Sequence, residues 1–359
     1  MISIKDLSDI AREIKESDHS MNIDAYLRKN FPFEFPNRGL KRIAKKQLDV
    51  HVFHEAITKN ELHKEINEET ESFIDFIGST GQRNYTYIVN GSRFSSRQQI
   101  QFRGILGANR LEKIILMLLL SDIDYKRIIV YDKNPDYRLL IQDDISSIVD
   151  YDIDNIIMGG KIVFGDILNE QSDKKIGSFN GVILSGDLYE QGGKIILYTT
   201  FPYGDLCRVV VEELQIIKFR NIFFVGSCGY LNSDKKIGEI IAPIDITDCK
   251  GLSLVKKHAN FLKSENKKHT SVICPLYETI TFIEDLKMHN VSSIDTEISY
   301  FQTGIENNMI EDRKSGILLY ISDLPGKLEC TFDTSDYHSK ELSIARRNLF
   351  YKLKERNVL

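Results

Sequence analysis

The chain has no cationic excess: 47 Lys and Arg stand against 52 Asp and Glu in 359 residues, for a formal net charge of −5. Without a basic block, it is not expected to bind nucleic acid non-specifically, although a local basic pocket for a phosphorylated small molecule stays open. Cysteine is scarce, at five residues. Cys207, Cys228, Cys249, Cys274 and Cys330 are odd in number and lack C-x-x-C spacing, in a chain large enough to need no staples, and they read as reduced thiols of a cytoplasmic protein. Long apolar runs are missing too. The run inside EKIILMLLLS falls far short of the ~20 residues that span a bilayer, and MISIKDLSDIAREIKESD lacks the apolar stretch of a signal peptide, so no membrane partner is expected. Walker A and G-x-G-x-x-G patterns are absent, which argues against an NTPase or a Rossmann dehydrogenase. His51, His54 and His63 have no cysteine or carboxylate at a metal-binding spacing and read as histidines on a surface helix. Neither metal nor cofactor is expected.

What is present is an ordinary globular composition, 42% hydrophobic and 28% charged, long enough for two domains. Up to about residue 120, IKDLSDIAREIKESD, HEAITKNELHKEINEETESFIDFI and NRLEKIILMLLLSDI carry apolar residues at helical intervals. NFPFEFPNRG reads as a connector, and Asn90-Gly91 within TYIVNGSRF as a hairpin turn. From residue 121 the texture changes to short buried-strand runs, among them RIIVYD, KIVFGD, KIILYTT, NIFFVGS and GILLYISD, alternating with helical stretches. The reading is therefore α/β: residues 1–120 a mainly helical appended segment, and 121–359 a layered domain around a mixed central sheet.

The richest local signal is EELQIIKFRNIFFVGSCGYL, a helix feeding a buried strand that ends in Gly226-Ser227-Cys228-Gly229. Small residues there expose backbone N–H groups and the Ser227 hydroxyl at the carboxyl edge of a sheet, where α/β proteins bind ligands; the same pattern also suits a plain tight turn. From about residue 180 onward the chain resembles the nucleoside phosphorylase superfamily, which includes purine nucleoside and uridine phosphorylases and the adenosylhomocysteine and AMP nucleosidases. The resemblance rests on four elements in the family's order: GDLYEQGGKIILYTT, VVVEELQIIKFRNIFFVGSCGYL, SSIDTEISYF and LLYISD. It implies that family's three-layer α/β fold, a nucleoside or nucleotide substrate and a homo-oligomer.

Carried over residue by residue, Gly226 and Ser227 belong to the signature loop. Glu297 looks like the glutamate that accepts from the ribose 2′- and 3′-hydroxyls, a task suited to an acceptor-only carboxylate. The alternative is a charge at a helix start. Thr296 replaces the family's methionine under the sugar. Asp323 resembles the acid that faces the purine N7 and protonates the departing base, for which its carboxyl should be buried; the alternative is an aspartate capping the turn Asp-Leu-Pro-Gly. Tyr277 sits where the family places an aromatic against the base, and is equally a core tyrosine.

Two departures bear on the reaction. Phosphorolytic members have an arginine where this chain has Phe224, and the first glycine-rich turn reads Thr200-Phe201-Pro202-Tyr203-Gly204. Loss of both favours water over inorganic phosphate as co-substrate. A hydrolase also needs a carboxylate to orient the water, usually just after the domain's first strand; in RIIVYDKNPDYR that place holds Asp132, with Asp136 nearby and Arg138 able to meet a phosphate, and a solvated turn is the alternative. The expectation is hydrolysis of a purine N-glycosidic bond, with a phosphorylase of altered phosphate site and a catalytically silent nucleoside binder as the competing readings.

Overall fold

The computed structural model describes residues 3–30, 49–57, 61–62, 73–74, 87–91, 99–133, 135–170, 173–247, 254–255, 267–308, 313–327 and 338–359. Residues 31–39 of the connector NFPFEFPNRG, His63, Cys249 and Cys330 lie outside them, while Cys207, Cys228 and Cys274 are buried free thiols.

The amino-terminal unit begins with α1 (Ile4–Glu16), whose start is fixed by the Ser3 hydroxyl accepting from the Asp6 amide at 3.1 Å. Leu7, Ala11 and Ile14 give it one buried stripe. After α2 (Ile23–Asn30) come β1 (Asp49–His54), β2 (Phe73–Ile74), β3 (Tyr87–Gly91) and β4 (Gln99–Ile105), then α3 (Ala108–Leu120) and β5 (Ile128–Asp132). These strands form one sheet in the order β2-β3-β4-β1-β5, with β1 parallel to both β4 and β5. α3 is buried nearly all round, as its broad apolar face requires, and its buried set includes Arg110 and Lys113.

Three sequence expectations are corrected in this region. HEAITKNELHKEINEETESFIDFI is not one helix: β1 runs through His54, and Phe73–Ile74 is a strand. His51 and His54 thus sit on a strand and not on a surface helix. Asn90-Gly91 lies inside β3, paired with Ile100 and Gln99, and is not the hairpin turn. RIIVYD, taken as the first strand of the second domain, is β5 at the edge of the amino-terminal sheet. Its short apolar run carries no information about which sheet receives it.

The second sheet begins at β6 (Asp152–Met158), after α4 (Tyr137–Ile145). There follow α5 (Gly160–Val163), α6 (Gly165–Glu170), β7 (Lys174–Asn180), β8 (Ser185–Gln191), β9 (Lys194–Thr199), α7 (Leu206–Glu213) and β10 (Lys218–Tyr230). KIVFGD, expected as a strand, is therefore helical. Gly159 at φ +83° ends β6 in the left-handed region and starts the turn, its carbonyl accepting from the Ile162 and Val163 amides at 3.0 and 2.9 Å. The chain ends with β11 (Ile240–Ile241), β12 (Asp245–Thr247), β13 (Leu254–Val255), β14 (Lys268–Ser271), α8 (Ile280–Met288), β15 (Val291–Asp295), α9 (Ile298–Asn308), β16 (Lys314–Asp323) and α10 (Ser339–Glu355).

The strand order is β13-β12-β14-β15-β10-β6-β9-β8-β7, with β16 parallel to β10 on its other edge. Period-two alternation sends Ile156, Met158, Ile222, Phe224 and Leu319 to one face, against α4, α7 and α9. Ile157, Phe223, Val225 and Leu318 go to the other, against α5, α6 and α10. This is a three-layer α/β domain with a mixed sheet.

Candidate functional site

The site arises where the sheet parts. β10 runs parallel to β6 only as far as Phe224 opposite Met158, and pairs antiparallel with β15 only at Gly229 opposite Ile294 and Tyr230 opposite Ser293. Among the described strands none occupies that edge between Val225 and Cys228, and there the carboxyl ends of parallel strands open into a cavity of about 120 Å3. Gly226-Ser227-Cys228-Gly229 is thus not a turn after the strand but its continuation, with a register shift against β16 between Cys228 and Gly229.

Gly226, Ser227, Thr296, Glu297 and Asp323 all line this cavity. Three stretches of chain, far apart in sequence, converge there: β10, the β15–α9 junction and the end of β16. Glu297 is 6% and Asp323 4% exposed. The helix-start role weighed for Glu297 falls to Asp295, whose carboxylate accepts from the Glu297 and Ile298 amides at 3.2 Å each. The Glu297 carboxyl is left to face the cavity, accepting from the Thr296 hydroxyl and, at 3.4 Å, from the Gly204 amide. Burial, reinforced by the Asp295 charge, pushes its carboxyl up to about 8.

Asp323 accepts from the Ser322 hydroxyl at 2.6 Å, and the turn after it is closed by the Lys327 amide on the Leu324 carbonyl at 3.0 Å. Gly229 makes room for this carboxyl: a Cβ there would lie 2.8 Å from the Pro325 ring and 3.2 Å from Asp323 Oδ2.

The structure does not bring Asp132 into this cavity. At the end of β5 it accepts from His54 Nδ1 at 2.8 Å, and His54 Nε2 lies 2.6 Å from the Tyr137 hydroxyl, a network that joins the amino-terminal sheet to the start of α4. The first strand of the layered domain is β6, and the turn after it, Gly159-Gly160-Lys161, carries no carboxylate. Tyr277 is also absent from the lining: its hydroxyl donates to Glu112 on α3 and its ring packs against the amino-terminal core. Its neighbours Pro275 and Glu278 line the cavity instead.

Two cavity residues escape the sequence reading. Glu278 is 6% exposed; burial and then the Asp323 charge hold its carboxyl well above the usual range. Its only sequence signal is being an acid next to the picked tyrosine. Lys113 comes from α3, 8% exposed, with burial first and Arg110 second lowering its ammonium to about 8. A charged residue on the broad apolar face of NRLEKIILMLLL is the signal that marks it. Phe201 and Phe224 also line the cavity, with ring centroids 5.2 Å apart.

No protein-family model and no curated protein sequence matches the chain. Solved structures do. A mutant 5′-methylthioadenosine nucleosidase of Helicobacter pylori, with 5′-methylthioadenosine in its active site, is 10% identical over 57% of this chain and 99% of its own, at a TM-score of 0.47. Futalosine hydrolase of the same organism is 12% identical over 56% and 97%, at 0.45. Uridine phosphorylase of Vibrio fischeri is 14% identical over 56% and 90%, at 0.44.

Proposed function

We propose that the cavity binds a purine nucleoside or nucleotide and cleaves its N-glycosidic bond with water. The observation that carries this reading is the convergence of Glu297, Asp323, Ser227 and Gly226 on one buried cavity at the parting of the sheet. Cleavage breaks the bond between C1′ and the base nitrogen, with the electron pair leaving on the base. An acid at the base and an acceptor at the ribose hydroxyls are what such a transition state needs. Asp323 is assigned the acid role at the base. Glu278, whose carboxyl is raised by burial and by the Asp323 charge, is a second acid in the same lining. Glu297 is assigned the ribose diol, and water adds to C1′ and gives up a proton.

Water is favoured over phosphate by two rings of the lining. Phe201 and Phe224 place hydrocarbon where phosphorolytic members of the resembled family carry a glycine turn and an arginine, and four carboxyl groups, Glu278, Asp295, Glu297 and Asp323, line the same space. A phosphate dianion would lose its hydration against rings and acids. The turn after β6 supplies no carboxylate to orient the water, and this specific observation favours the second reading, a nucleoside-binding protein without turnover. Incubation with purine nucleosides and nucleotides, followed by chromatography of free base, tests the proposal. Base release by the wild type that vanishes in Asp323→Asn is the expected result, and tight binding without release would establish the second reading.

A further inference from the structure

α3 belongs to the amino-terminal unit, yet it is built into the support of Glu297. Its first amides, Ala108 and Asn109, donate to the Asp205 carboxylate at 3.1 and 3.2 Å, and Asn109 Nδ2 donates to the Tyr300 hydroxyl on α9 at 2.8 Å. Asn109 also lies against Gly204, which sits at φ +56°; a Cβ on Gly204 would lie 2.7 Å from Asn109 Nδ2. Gly204 is the residue whose amide donates to Glu297 Oε1. One turn further along α3, Lys113 enters the cavity that Glu297 lines, its ammonium 5.2 Å from the ring centroid of Tyr203 and 5.6 Å from that of Tyr26. Two tyrosine rings hold a cation beside an acid, and both cation and acid are buried.

From this geometry we propose that Lys113 is a positioning residue of the cavity: its ammonium, seated against two tyrosine rings, is a counter-charge that opposes Asp295 and draws Glu297 toward the ionised form that accepts from the ribose diol, so that the amino-terminal unit completes the site in cis. The assignment rests on the ribose role proposed for Glu297. The groups acting on Glu297 come from every element around it. Asp295, on β15, opposes its ionisation, with His269 Nε2 of β14 lying 3.0 Å behind that aspartate; Tyr203 and Cys207 border it from the turn before α7 and from α7; Lys113 favours ionisation from α3. Lys113 in turn is faced by Arg110, which opposes its charge, and by Cys274 and Glu297, which support it.

The test reads the titration of Glu297 without any ligand. In full-length protein labelled with 13C at glutamate carboxyls, the Glu297 resonance is identified by its loss in Glu297→Gln and followed from pH 5 to 10. Lys113→Met should raise its midpoint by about one pH unit, the lower end of what a neighbouring opposite charge contributes. Lys113→Arg should restore it, with cooperative melting confirming that each variant is folded. An unmoved midpoint in folded Lys113→Met, or an Arg variant that behaves like Met, would overturn the proposal. Should Lys113→Met instead fail to fold, a midpoint in folded Lys113→Arg above that of the wild type by the same amount would overturn it, and a retained midpoint would support it. Nucleoside binding by calorimetry on the wild type keeps the two readings apart: a shifted midpoint with no bound nucleoside leaves the counter-charge in place and removes the ribose role.

Discussion

Glu297 and Asp323 differ in how they can be tested. Removing a general acid costs about 10²–10⁴ in rate, so Asp323→Asn should fold and bind yet release base at no more than about a hundredth of the wild-type rate, measured by steady-state kinetics. Glu297 offers a test by stability. Its carboxyl titrates near 8 when folded, against an ordinary 4.5, so the folded chain holds this proton more tightly than the unfolded one. The stabilisation is complete below about pH 4.5 and is lost as pH rises through about 8, at a slope of at most about 1.4 kcal/mol per pH unit. Glu297→Gln, neutral throughout, should match the wild type in denaturant melts near pH 4.5 and exceed it above pH 8. Both residues were legible in the sequence because each closes a strand or opens a helix inside a recognisable stretch. Glu278 and Lys113 were not, because their roles come from elements that meet only in the folded chain: a loop strapped by the Ser20 amide on the Glu278 carbonyl, and a helix from another unit.

At the scale of elements, the glycines of the site do separate work. A Cβ at Gly159 would meet the Val225 carbonyl oxygen at 2.0 Å and would also sit at φ +83°. Backbone cannot yield that far, so Gly159→Ala should lose the cooperative transition or melt far below the wild type in calorimetry. Gly229→Ala meets a proline ring and a carboxylate instead; overpacking of about 1–3 kcal/mol and a displaced Asp323 should leave a folded protein with much reduced base release. β9, β10 and β16, with α7, α8 and α10, follow from composition and periodicity alone, whereas SVICPL, which reads as a strand, holds only the last residue of β14 and then a short turn. KIVFGD misled because four apolar or small residues fit a strand and a short helix equally, and only the left-handed Gly159 decides between them. β5 misled differently: its local character is right, and its sheet is set by pairing with β1, some 80 residues earlier in the chain.

For the whole molecule, the consequence is that the two sheets are joined through the site. Tyr277 bonds to Glu112, Asp205 holds the start of α3, and His19 bridges to Thr279, so the amino-terminal unit is tied to the cavity and supplies Lys113 to its wall. A cavity of about 120 Å3 is small beside the roughly 300 Å3 at the lower end for drug-sized ligands. Ligand seated against Lys113, Pro275 and Glu278 should slow hydrogen exchange at amides 108–120 and 276–280. Equal exchange with and without ligand would show that this wall takes no part in binding. That α3 reaches the cavity was invisible in the sequence, because no motif in residues 1–120 is chemical and the contact depends on where the fold delivers one helix.

The most direct measurement is the identity of the sugar released from a purine nucleoside or nucleotide by the wild-type protein, compared in phosphate-free buffer and in buffer containing inorganic phosphate. Hydrolysis at a cavity walled by Phe201 and Phe224 predicts free base with unphosphorylated C1′ sugar, at the same rate in both buffers. Ribose 1-phosphate as the main product, formed only when phosphate is present, would contradict it.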